Sequence, residues 1–131
     1  MIDVAAVLAA GLLAVMAVVQ AALALGAPWG AHVYGGRVAT TDGRLPSAYR
    51  GMSAVAVVVL AFAAWLILAR AGVVGDGPLP AAVVQWGVWI VAGYLALNTL
   101  GNVASTSPVE RWGFGALTLV AGVLTVIVAA S

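Results

Sequence analysis

The 131 residues are 65% hydrophobic and only 7% charged, with a formal net charge of +1 and a mean hydropathy of +1.18. Soluble domains carry about 25% charged residues, so the composition excludes a water-exposed globule, and the near-neutral balance excludes a basic surface for nucleic acid. With no cysteine in the chain, disulfides, thiol catalysis and thiolate metal sites are excluded as well.

A helix needs about 20 apolar residues to cross a hydrocarbon core of about 30 Å, and the first run, at about 4–26, is long enough. "ALALGA" resembles a signal-peptide cleavage site, but "MIDV" before the run has no positive side chain. The run also exceeds the 7–15 residues usual for a signal core, so an uncleaved helix is expected. Small residues recur four apart along it, at Ala5 and Ala9 and at Ala6, Ala10 and Ala14, as close helix packing in lipid requires. Gln20 is the polar interruption within this run.

Loop one, Ala27 to Tyr49, has 23 residues, which is long for a connector without a task. Trp29, Val33, Tyr34 and Val38 argue for a folded segment, and Gly35-Gly36 between short apolar arms reads as a hairpin turn. Trp29 suits an interfacial anchor. His32 is the chain's single imidazole, and one histidine makes no zinc site, which takes three or four ligands. Tyr34 and Arg37 fall where the loop would rest on the helix ends.

The second run covers about 52–69, and a short loop, "GVVGDGPLP", leads to the third at about 81–104. Tyr94, Asn98, Gly101, Asn102 and Ser105 share one face of that helix by their spacing. Hydrocarbon cannot satisfy two asparagines one turn apart, so the stripe must turn inward. It serves either as an interhelical clamp, for instance to Gln20, or as the lining of a polar cavity. Ser107 and Pro108 suit a helix start, with Glu110 favouring the positive end of the dipole and Arg111 anchoring the interface. The fourth run covers about 112–130. "AGLLAV" and "AGVLTV" are alike, but an alanine- and valine-rich alphabet produces such matches by chance.

These elements predict an all-α fold: a single four-helix transmembrane bundle with a structured loop between its first two helices. Arg37, Arg44, Arg50 and Arg111 lie on the side of loops one and three, against Arg70 on the other. The positive-inside rule then places those loops in the cytoplasm and both termini outside. Alanine, valine and glycine richness, with arginine and no lysine, suits a high-GC bacterium, hence a multi-pass inner-membrane protein.

The segments "GAPWG", "YGGR" and "LP", followed by Asn98, Asn102 and "STSPVERW", resemble a family of small four-helix integral membrane proteins of actinobacteria over nearly the full length. The resemblance implies this fold and singles out Pro28, Trp29, Gly30, Gly35, Gly36, Asn102, Ser105, Glu110 and Arg111, with no chemistry attached. Small multidrug exporters use a glutamate in the first helix, where this chain has Gln20. Fluoride channels and vitamin K epoxide reductases likewise depend on motifs that are missing here.

The functional expectation is a non-enzymatic protein: an accessory or interaction subunit, or a binder of a lipid or other small amphipath. No metal or cofactor is called for. Membrane lipids, a larger membrane-protein partner or a second copy are the expected partners. The alternative is a small dimeric transporter or channel with a polar path along helix three. A lipid-modifying enzyme using Glu110, Arg111 and His32 lacks a paired carboxylate or nucleophile. Candidate ligand-binding residues are Trp29, His32, Tyr34, Arg37, Tyr94, Asn98, Asn102, Ser105, Glu110 and Arg111.

Overall fold

The computed structural model describes residues 1–131. Four helices of membrane-span length pack together: α1 (Ile2–Ala24), α2 (Ser47–Arg70), α3 (Ala81–Val103) and α4. The last spans Val109–Ala129 and opens with a π-helical turn, Val109–Phe114, before continuing as α-helix from Gly115. Within lipid a helix satisfies its own backbone, which is why apolar runs of this length adopt it.

The helix ends are written in glycine and proline. Past α1, Gly26 takes φ +95°, its N–H bonds Leu23 O, and the N–H of Ala27 reaches back to Ala22 O. Gly72 (φ +77°) and Val73 close α2 in the same way on Ala69 O and Leu68 O. These are Schellman ends, in which a left-handed residue lets the chain satisfy the last carbonyls. Pro46, Pro80 and Pro108 stand at the starts of α2, α3 and α4, where the missing N–H costs no helical bond.

Two expectations need correction. Helix α2 begins at Ser47 rather than near Met52, because Pro46 fixes the start and the polar first turn extends beyond the apolar run. Nor do Gly35 and Gly36 form a hairpin: residues 25–46 hold two 3-10 turns, Gly30–His32 and Tyr34–Gly36. The antiparallel bridge in this loop joins Thr41 to Arg44 around Asp42-Gly43, both at positive φ. Asp-Gly is a preferred pair for a two-residue turn of that kind, and Gly35-Gly36 has another use, described below.

Around the bundle, α1 packs on α2 and α4, and α3 packs on α4 and more sparsely on α2. The apolar core comprises Ala6, Ala9 and Leu13 of α1, Leu60 and Ile67 of α2, Val88 and Leu95 of α3, and Ala121 and Val128 of α4. Ala5, Ala6, Ala9 and Ala10 of α1 are buried as expected, whereas Ala14 is exposed and Gly93 and Gly101 have open space where a Cβ would stand. One polar bond links α3 to α4 inside the bundle, Thr99 Oγ1 to Thr118 Oγ1 at 3.0 Å.

This core is unevenly placed along the bundle. After Leu95, α3 has no buried residue, and before Leu60, α2 has only Ser53. At its contact with α2, Gly87 lies against Leu66. Tyr94, Asn98 and Gly101 follow Gly87 at spacings of seven, four and three, so they share its face. The α2-facing side of α3 is therefore closed at the loop-two end and left open toward loop one.

Candidate functional site: a polar cavity beneath the first loop

The space left by the core is a cavity of about 140 Å³ at the loop-one end. Met16, Val19, Gln20 and Leu23 come from α1, Asn98 and Asn102 from α3, Glu110 and Phe114 from α4, and Val33 and Tyr34 from the loop. A second recess, along the open flank of α3, shares Tyr34, Asn98, Asn102 and Glu110 with it and adds Gly35, Tyr94, Leu97 and Gly101. The cavity thus continues sideways to the surface on the side of α3 that faces α2.

Loop one roofs the cavity. Tyr34, Gly35 and Gly36 all hold positive φ, at 49°, 81° and 72°. For a tyrosine this conformation costs roughly 1–2 kcal/mol. Tyr34 is held there by a 2.8 Å bond between its hydroxyl and Ser53 Oγ and by edge packing on Tyr49 with ring centroids 5.1 Å apart. Strain of this kind persists where the surroundings over-determine it.

The roof is fastened to loop three. Gly35 N–H donates to Glu110 Oε2 at 2.9 Å, and Gly35 O accepts from Thr106 Oγ1 at 2.7 Å and from Thr106 N–H at 3.2 Å. Ser107 Oγ donates to His32 O at 2.7 Å and accepts from Glu110 N–H at 3.4 Å, acting as the cap that its position before Pro108 suggests. A Cβ on Gly36 would lie 2.8 Å from Thr106 Oγ1. Here the glycine pair permits close approach of two loops.

The polar groups of the cavity are incompletely paired. Gln20 Oε1 is buried without a hydrogen-bond partner. Asn98 Nδ2 donates to Tyr94 O, one turn back on its own helix, at 2.9 Å. The asparagine-to-Gln20 clamp that the sequence allowed is therefore not formed, because the three amides line a space instead of meeting across it. Glu110 is only 8% exposed, and Gly35 N–H bonds one of its two carboxylate oxygens. No arginine lines either recess: Arg50 Nε bonds Ala24 O, Arg111 Nε bonds Val103 O, and Arg37 and Arg44 are exposed. A π turn carries Glu110, and such turns recur at functional sites.

Of the ten residues singled out from the sequence, Tyr34, Asn98, Asn102 and Glu110 line the cavity, and Tyr94 lines its lateral recess. Trp29 and His32 line a separate apolar recess with Val109 and Phe114, and His32 meets the site's framework through its backbone carbonyl. Ser105 is buried and accepts Ser107 N–H through Oγ at 3.0 Å. Arg37 and Arg111 lie outside both recesses. Gln20, weighed as a clamp partner, is a lining residue, and its isolation in an apolar helix was the available signal. Met16, Leu23 and Phe114 were indistinguishable from ordinary core.

No protein-family model, curated protein or solved structure matches the chain.

Proposed function

We propose that this four-span membrane protein is a non-enzymatic binder of a small amphipath, whose polar head enters the cavity beneath loop one from the side. The buried, unpaired Oε1 of Gln20, in a cavity it shares with Asn98, Asn102 and Glu110 at one end of a transmembrane bundle, carries this reading. Hydrocarbon offers these side chains no hydrogen bonds, and intramembrane polar groups of this kind mark ligand sites. The flank opening between α3 and α2 gives access from the lipid, and the apolar half of the bundle below stays closed. That closure disfavours the alternative of a channel along the axis, since Leu13, Leu60, Leu95 and Val88 fill the middle of the bundle with 1% exposure or less. The family resemblance to small actinobacterial membrane proteins, a bacterial inner membrane as location, and self-association or a larger partner belong to the same proposal.

The test combines Asn98→Ala with Asn102→Ala, purified in a mild non-ionic detergent and examined by native mass spectrometry. The parent chain is expected to retain a small amphipath that the double variant loses while keeping its helical circular dichroism. Equal retention in both, or none in either, would overturn the reading. The arginine distribution supports a cytoplasmic position for the cavity as part of the same proposal. A Thr41→Cys variant, unique because the chain has no cysteine and exposed in loop one, should escape a membrane-impermeant thiol reagent in intact cells and react after lysis. Labelling of intact cells would invert the orientation.

A further inference from the structure

We infer that the head group this cavity accepts is a primary ammonium, an inference that rests on the amphipath-binding reading above. Gln20 Oε1 is buried and unpartnered, and Glu110 presents a carboxylate with one oxygen free of the Gly35 bond. The Asn98 amide has committed one of its two N–H donors to Tyr94 O, and its carbonyl oxygen remains available. The cavity therefore offers amide oxygens beside one acidic group, and no arginine lines it. A phosphate or carboxylate head would meet Glu110 without a compensating cation, at a cost in buried surroundings. An ammonium with three N–H donors satisfies the carboxylate and two amide oxygens together. A trimethylammonium matches the charge but has no N–H to give.

Size agrees with this assignment. A cavity of about 140 Å³ is close to the ~150 Å³ engineered cavity that takes benzene, so an aminoethyl group fits within it. The apolar tail would leave through the flank recess, past Leu97 and Gly101. Gly101 has no heavy atom within 4 Å of its ideal Cβ position, so the tail meets no obstruction there. The primary ammonium belongs either to a phosphatidylethanolamine, whose phosphate then lies outside the cavity in the flank recess, or to a free long-chain amine.

The decisive measurement is saturable thermal stabilisation in maltoside micelles, titrated with dodecylammonium, dodecyltrimethylammonium and dodecyl sulfate at low mole fraction. Dodecylammonium is expected to bind at least tenfold more tightly than the other two. The Glu110→Gln variant, which can still accept the Gly35 N–H, should lose about tenfold or more of that affinity, as loss of a charged hydrogen bond implies. If Glu110→Gln does not fold, the head-group ranking on the parent chain decides by itself. Equal or better binding of dodecyltrimethylammonium or dodecyl sulfate, abolished by Asn98→Ala with Asn102→Ala, would overturn the ammonium assignment and leave the amphipath site standing. No saturable binding by any of the three would overturn both. Nanodiscs of phosphatidylethanolamine against phosphatidylglycerol separate the sources. Preferential retention of the former on extraction supports a lipid head, and dodecylammonium binding without such retention supports a free amine.

Discussion

Replacing Gly36 by alanine is expected to destabilise the protein by about 2–4 kcal/mol, whereas Gly35→Ala costs only about 1–2 kcal/mol. Both glycines lie at positive φ, so both substitutions carry the left-handed penalty. The difference lies in what surrounds them. Nothing stands within 4 Å of a Cβ on Gly35, but one on Gly36 would meet Thr106 Oγ1 at 2.8 Å and Ser107 N at 3.2 Å. The hydroxyl can rotate away; the Ser107 backbone cannot, because its N–H is bonded to Ser105 Oγ and its side chain to His32 O. Relief of the clash must separate loop one from loop three and weaken the Thr106 and Glu110 bonds to Gly35. Unfolding in mixed micelles, followed by tryptophan fluorescence, measures both variants. Equal losses would mean that the two loops are not in contact in the way described.

That contact marks the limit of what the sequence could reveal. The spans followed from run length and apolarity, which placed most of their ends to within a few residues but missed the start of α2 after Pro46. The polar end of the bundle was also legible, because Asn98, Asn102 and Glu110 converge on it by simple up-down topology. The juncture itself was not, since Gly35 and Glu110 are 75 positions apart and no local pattern pairs them. Gly35-Gly36 read locally as a hairpin because a glycine pair permits positive φ for any purpose, and here the purpose is tertiary. Asp42-Gly43 carried the stronger local signal for the turn and lay in the same loop. Whether the asparagines would clamp Gln20 or face a cavity depended on interhelical distance, which helical spacing does not encode.

Gln20→Leu decides between those two roles by the sign of its effect, and it is expected to stabilise the unliganded protein by about 1 kcal/mol. Gln20 Oε1 is buried and unpaired, a state that costs about 1–3 kcal/mol relative to a satisfied or apolar group. Leucine has a similar volume, extends the apolar lining already provided by Met16, Val19 and Leu23, and leaves no acceptor behind. A water held in the cavity would offset part of the cost, which is why the expected gain sits at the low end. It corresponds to a rise in midpoint of roughly 3–6 °C. If Gln20 instead clamped the asparagines, the same substitution would lower stability by about 0.6–2 kcal/mol. A ligand site adds a second signature, because the parent chain should gain stability from dodecylammonium and Gln20→Leu should gain far less. The expected pattern is thus a variant more stable alone and less responsive to ligand, as when a protein keeps a buried polar group for binding at the expense of packing. A variant less stable alone and equally responsive would assign Gln20 to the framework and remove it from the site.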